Sequence, residues 1–179
     1  NRILNLLQLG GRAGVVVPEG VLFGRSRAHK DLRKMLLDDC ELQAVISMPS
    51  GVFKPYASVS SAVLVFVKGG KTETVWFYDL QADGRSLDDR RVPIDENDIP
   101  HLIARWQSRT ECGDERVGRC FTVPAEIIRK KNYSLSFKLY REINFDEEKL
   151  ASPSSLLKRI KAEEKQITRL VAELEEMVG

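Results

Sequence analysis

"LQAVISMPSGVFKPYASVSSAVLVFVKGG", residues 42–70, sets two apolar runs around one loop. The first run stops at Met48-Pro49, and the second is unbroken from Ala62 to Val67. Continuous β-branched runs bounded by Pro and Gly read as strands buried on both faces of a sheet. The loop between them, about a dozen residues, is too short and irregular for a helical crossover, so "SAVLVFVK" is expected to lie antiparallel to a neighbour. That loop also carries Pro49, Gly51, Phe53, Pro55 and Tyr56, an aromatic content with no obvious core to serve.

Upstream, "RAGVVVP" repeats the pattern of a buried strand ending in proline, and "AHKDLRKMLLDD", residues 28–39, has helical spacing with Leu32, Met35 and Leu36 inward. Strands near 13–17 and 43–48 are therefore expected to run parallel, in an α/β layer fold. The 13–17 strand should have hydrogen-bonded neighbours on each side in a full domain; an open edge here would favour self-association. Downstream, "TVWFYDL" is expected to pair with "SAVLVFVK" across the "GGKTE" turn. Residues 81–100 are turn-rich and charged without periodicity, and read as a surface loop. A helix over Ile99–Ser108 should bury Leu102, Ile103 and Trp106, "TECGDERVGRC" reads as a flexible link, and Pro124 opens a further helix at its first turn. Ser152-Pro153 opens a long helix to about Val178, with Leu156, Ile160, Ile167, Leu170, Leu174 and Met177 at heptad spacing. The fold class expected is α/β: a mixed sheet with an antiparallel strand pair, plus a long carboxyl-terminal helix.

At 179 residues and 42% hydrophobic content the chain can bury a core. Its 28 basic and 26 acidic residues nearly cancel, so net charge announces no nucleic acid by itself. Cys40, Cys112 and Cys120 form no CxxC pair, which fits a reducing compartment and implies no zinc or disulfide framework. No apolar run reaches the roughly 18 residues of a spanning helix, so a cytoplasmic protein without a membrane is expected. The opening at Asn1, already in helical register with Ile3, Leu4 and Leu7 on one face, reads as a piece of something longer.

Catalytic chemistry is sparse. His29 and His101 lack the supporting groups of a nucleophile–base pair. "LGGRAG" and "VKGGK" lack the spacing of a phosphate cradle and read as a helix stop and a turn. Asp38-Asp39 and Asp88-Asp89 read as solvated carboxylates, so no metal site is expected. The aromatic loop differs, because Phe53, Lys54 and Tyr56 follow the carboxyl end of a strand, where open α/β sheets hold their ligands. Their bland reading is a cover for the sheet edge.

Taken together, "GGRAGVVVPEGVLF", "LRKMLLDDCELQAVISMPSGVFKPYASVSSAVLVFVKGG", "VWFYDLQADGRSLDD" and "NYSLSFKLY" resemble the methyltransferase (modification) subunit of type I restriction-modification systems. The resemblance implies an S-adenosylmethionine-dependent adenine DNA methyltransferase that works with a specificity subunit and a restriction subunit. The family's glycine-rich cofactor loop and Asn-Pro-Pro-aromatic tetrapeptide are both missing, and the sequence holds no Pro-Pro. Only the carboxyl-terminal part is therefore resembled, implying the later half of a Rossmann-like methyltransferase sheet, with 1–140 as part of the catalytic domain and 141–179 as linker and helical tail. No catalytic or cofactor-binding residue is assigned in this chain, and cofactor binding by it alone is not expected. By resemblance, Gly51, Phe53, Lys54 and Tyr56 would line the target-base side of the DNA cleft, with a ring against a base and Lys54 near a phosphate. Ile160, Ile167 and Leu174 would face a partner helix of the specificity subunit. The alternative is a non-catalytic interaction module carried by a coiled-coil tail.

Overall fold

The computed structural model describes residues 2–109 and 118–142 and, in the tail, residues 157, 160–161, 163–168 and 170–171. Two compact units divide the chain, Asn1–Ile143 and Asn144–Gly179.

The first unit opens with helix α1 (Arg2–Leu6), followed by β1 (Arg12–Pro18), α2 (Gly20–Phe23), α3 (Arg27–Asp38), β2 (Cys40–Met48), β3 (Ser61–Lys68) and β4 (Thr74–Asp79). A hairpin of β5 (Asp83–Arg85) and β6 (Pro93–Asn97) leads to α4 (Ile99–Gln107), and β7 (Cys120–Pro124), α5 (Ala125–Lys130) and α6 (Phe137–Tyr140) complete it. Five strands form one sheet in the order β1-β3-β2-β4-β7. β3 is antiparallel to both β1 and β2, β4 is parallel to β2, and β7 is antiparallel to β4.

Strands β1 and β2 do point the same way, but β3 lies between them. The expected pairing of "SAVLVFVK" with "TVWFYDL" does not occur, because β2 separates those strands too. The "GGKTE" segment is not a tight hairpin; it passes around the amino end of β2. Gly69 and Gly70 take φ of 80° and 85°, which a side chain would resist. Thr72, 1% exposed, accepts a hydrogen bond from Leu42 N at 2.9 Å and donates one to Cys40 O at 2.9 Å. Those bonds fasten the crossing to the strand it rounds.

The central strands are apolar on both faces because both are covered. Val75 and Phe77 of β4 join Leu36, Leu37, Val45, Phe121 and Ile128 in the larger core under α2, α3, α5 and α6. Trp76 and Tyr78 point the other way, with Ala44 and Ile46, to a smaller cluster closed by Leu102 and Trp106 of α4. Each Val, Leu, Ile or Phe side chain among them contributes about 1.5–3 kcal/mol on full burial. Helix α4 turns Leu102 and Trp106 inward but leaves Ile103, expected to be buried, 50% exposed. Edge strand β1 alternates instead: Ala13, Val15 and Val17 reach the larger core while Val16 is 52% exposed, since α4's cluster does not extend that far. Expected burial on both faces is therefore corrected for β1.

Two further corrections concern the second half. Residues 81–100 are not irregular: they contain the β5–β6 hairpin. Cys120, placed in a link from sequence, begins β7 instead, while Pro124 both ends that strand and caps α5, the helix expected there. The "NYSLSFKLY" stretch is a clasp. Asn132 and Tyr133 both adopt φ of 57°, Leu135 N donates to Leu22 O at 2.8 Å, and Tyr140 Oη donates to Ser134 O at 2.6 Å.

Candidate nucleic-acid interface

Strands β1, β2 and β4 all end at one edge of the sheet, and the loop after β2 rises there. Glu19 N donates to Ser60 O at 2.9 Å and Leu80 N to Ser47 O at 2.9 Å, so the three strand ends and the loop's far root are tied together. Beside them opens a cavity of about 240 Å³, whose wall includes Glu19, Ser47, Asp79, Lys138 and Arg141. Two carboxylates and two cations face it, with Arg141 Nη1 at 4.0 Å from Asp79 Oδ2. The buried Ser47 hydroxyl has no hydrogen-bond partner.

Within the loop the chain makes local turns: Lys54 N donates to Gly51 O at 3.1 Å, and Tyr56 N and Ala57 N to Phe53 O at 2.9 and 3.1 Å. Tyr56 is 95% exposed and Phe53 39% exposed. A sheet cover would bury these rings, and here Tyr56 stands almost wholly in solvent. Gly51, with φ of 93°, is buried, and a Cβ there would come 2.8 Å from Leu87 O. Lys54 Nζ lies 3.4 Å from Asp89 Oδ1. Of the four loop residues singled out from sequence, Gly51 and Lys54 thus meet the β5–β6 hairpin, while the two rings remain accessible.

The hairpin is the part that sequence reading missed. Its neck is held by Asp98, whose Oδ2 accepts from Gln81 N at 2.9 Å and Ala82 N at 3.0 Å, and whose Oδ1 pairs with Arg119. Burial opposes the Asp98 charge, but those amide and guanidinium donors outweigh it and hold the carboxyl below its ordinary range. Nearby, Tyr78 Oη lies 2.8 Å from His101 Nδ1, so that histidine is engaged with the smaller core rather than with any nucleophile. Burial pushes the Tyr78 phenol up, so it stays protonated near neutrality. The signal in the sequence was the string Asp83-Gly84, Ser86, Asp88-Asp89: turn formers at short spacing within a stretch otherwise read as unstructured.

Among the described residues no group of three or more His, Cys, Asp or Glu could hold a metal ion, and no helix is long and apolar enough to cross a membrane. In the tail the described residues are helical, and Ile160 and Ile167 are 53% and 61% exposed; Leu174 lies outside the described residues.

The model of the N-6 DNA Methylase family matches residues 1–149. The methylase subunit of the type I restriction enzyme EcoEI of Escherichia coli is 28% identical over 181 residues, covering 99% of this chain and 36% of that protein. A solved chain from work on complex assembly and conformational transition of the type I R-M system superposes with a TM-score of 0.61 at 29% identity, covering 96% of this chain and 36% of the other. The crystal structure of the type I restriction enzyme EcoKI M protein gives a TM-score of 0.58 at 28% identity, over 74% of this chain and 35% of that one. The chain therefore spans about a third of the length of these relatives.

Proposed function

The chain belongs to the N-6 DNA methylase family, and from that premise we propose that it is the carboxyl-terminal part of a type I adenine DNA methyltransferase whose aromatic loop faces the target nucleotide. The unit up to about residue 140 would be the later part of the catalytic domain, and residues 141–179 a linker and helical tail. In the complete cytoplasmic protein, S-adenosylmethionine supplies the methyl group for the adenine amino group.

The cavity at the strand ends does not by itself fit that cofactor. The cavity at the strand ends, about 240 Å³, falls below the roughly 300–1,000 Å³ typical of small-molecule sites. Gly51, the positive-φ glycine of the loop, is closed off by the Leu87 carbonyl rather than open as a cradle. Cofactor binding and the catalytic acceptors are assigned to the remaining length of the family's proteins, and this chain alone is expected to be inactive.

The observation that carries the reading is the pair of accessible rings, Phe53 and Tyr56, at the carboxyl ends of parallel strands. A base turned out of the duplex needs a flat apolar surface to replace its lost stacking, and such a ring provides it in any base context. Lys54 is partly occupied by Asp89, so a phosphate contact from it would compete with that pair. The tail, with Ile160 and Ile167 exposed, is assigned to a helix of the specificity subunit, which reads the DNA sequence; the restriction subunit completes the assembly. In the complete enzyme, Phe53→Ala or Tyr56→Ala is expected to weaken methylation by about 1–3 kcal/mol while leaving S-adenosylmethionine affinity unchanged. Normal methylation by both variants, measured as tritium transfer to DNA, would reduce the loop to a surface feature.

A further inference from the structure

Loop 49–60 has few anchors of its own. Besides its internal turns and its two roots, the described contacts that fix its height above the sheet come from the β5–β6 hairpin: the Leu87 carbonyl packed where a Gly51 side chain would be, and Asp89 paired with Lys54. The hairpin has the rigidity to serve as a support. At its middle, Arg91 pairs with Asp83 and donates through Nη1 to Ser86 O at 2.8 Å. These bonds hold Arg91 at φ of 49°, a backbone state unusual for a side-chain-bearing residue. At its tip, Asp88 Oδ1 accepts from Ser86 Oγ at 2.8 Å, Arg90 N at 3.0 Å and Arg91 N at 3.1 Å. The Ser86 hydroxyl leads these donors in holding the Asp88 carboxyl below its ordinary value.

A direct grip on DNA phosphates is the competing use of so exposed a hairpin. Charge argues against it. Asp83, Asp88, Asp89, Asp95 and Glu96 outnumber Arg85, Arg90 and Arg91, and a phosphate-binding surface needs a positive excess.

We propose that the β5–β6 hairpin is a splint for the aromatic loop, its Asp88-shaped tip fixing where Phe53 and Tyr56 stand. The significance for methylation rests on the loop reading above, and Asp88 is a positioning residue acting through the Leu87 and Asp89 contacts. A ring held in place stacks on a flipped base at once; a wandering ring must first be ordered.

The test uses the complete methylase complex carrying Asp88→Ala, with Asp88→Asn as the conservative variant that keeps one acceptor oxygen. Hydrogen exchange by mass spectrometry and single-turnover methylation are measured on each. In Asp88→Ala, exchange across residues 51–57 is expected to accelerate about tenfold or more with β2 and β3 unchanged. Methyl transfer should slow about ten- to hundredfold at unchanged cofactor affinity. Asp88→Asn should recover most of both. If exchange rises only in residues 86–92, or if it rises equally in β2 and β3, the splint is overturned. If the loop loosens while Phe53→Ala methylates normally, the splint stands and the base-facing reading of the loop is what fails.

Discussion

Arg33 shows how much one side chain can hold. It is 2% exposed, and its guanidinium donates to Tyr133 O at 2.8 Å, Val21 O at 2.8 Å and Gly24 O at 3.0 Å. Two segments, residues 21–24 and the turn at Tyr133, therefore share one cation and use its planar fork to pair carbonyls that would otherwise be buried alone. Burial pushes its pKa down from the usual value, yet a group titrating so high keeps its charge near neutrality. Arg33→Met is expected to cost about 3 kcal/mol, because up to three carbonyls lose their donors at once. Urea unfolding of the chain checks it: a midpoint unchanged from that of the parent would show that water satisfies those oxygens. In sequence, Arg33 is one charge among several on an amphipathic helix. Its role depends on where residues 21–24 and 133 arrive, and no local periodicity carries that information.

At the scale of elements, the neck of the hairpin carries a pH dependence. The Asp98 carboxyl titrates below its ordinary range in the folded chain, so its bonds contribute in full above the ordinary carboxylate range and are lost as pH falls through the lowered folded value. Hydrogen exchange of Gln81 and Ala82, extrapolated to a common intrinsic rate, is expected to stay slow down to about pH 4 and to rise below it. Asp98→Asn should raise exchange at neutral pH and flatten the profile. A parent profile as flat as the variant's would remove Asp98 from the neck. The strands themselves were legible: "LQAVISM", "SAVLVFVK" and "TVWFYD" have the composition of buried strands, and all three lie in strands. Their neighbours were not legible, since alternation tells which face a residue occupies and nothing about which strand lies beside it. The GGKTE segment has the composition of a turn; Thr72, whose hydroxyl bridges Leu42 and Cys40, is the residue that makes it a wide crossing. Loop 49–60 was legible by its place after a strand and by its rings, whereas its support by residues 86–89 was not, because that contact spans more than thirty positions of sequence.

For the whole molecule, the outer edge of β1 matters most. β3 takes one side of β1, and among the described residues no strand pairs with the other. Val16 is 52% exposed on the face away from the larger core. Exposed edges invite pairing with a second chain, and a charge on the edge discourages it. The chain by itself is expected to self-associate with rising concentration in sedimentation velocity, and Val16→Lys to shift it toward monomer. A parent that stays monomeric at every concentration would mean that the edge is covered.

The insertion of β3 between β1 and β2 also sets an order of events in time. A chain emerging from the ribosome completes β1 at Pro18, but its partner is not finished until Lys68, roughly fifty residues later. At about 5–20 residues per second, that is an interval of several seconds in which neither β1 nor β2 can occupy its final place against β3. The two earlier strands must stay apart with a gap one strand wide, since pairing with each other would exclude the strand that belongs between them. Synthesis of this protein therefore includes a waiting period, and the nascent chain is most exposed to a wrong partner between the completion of β2 at Met48 and that of β3 at Lys68.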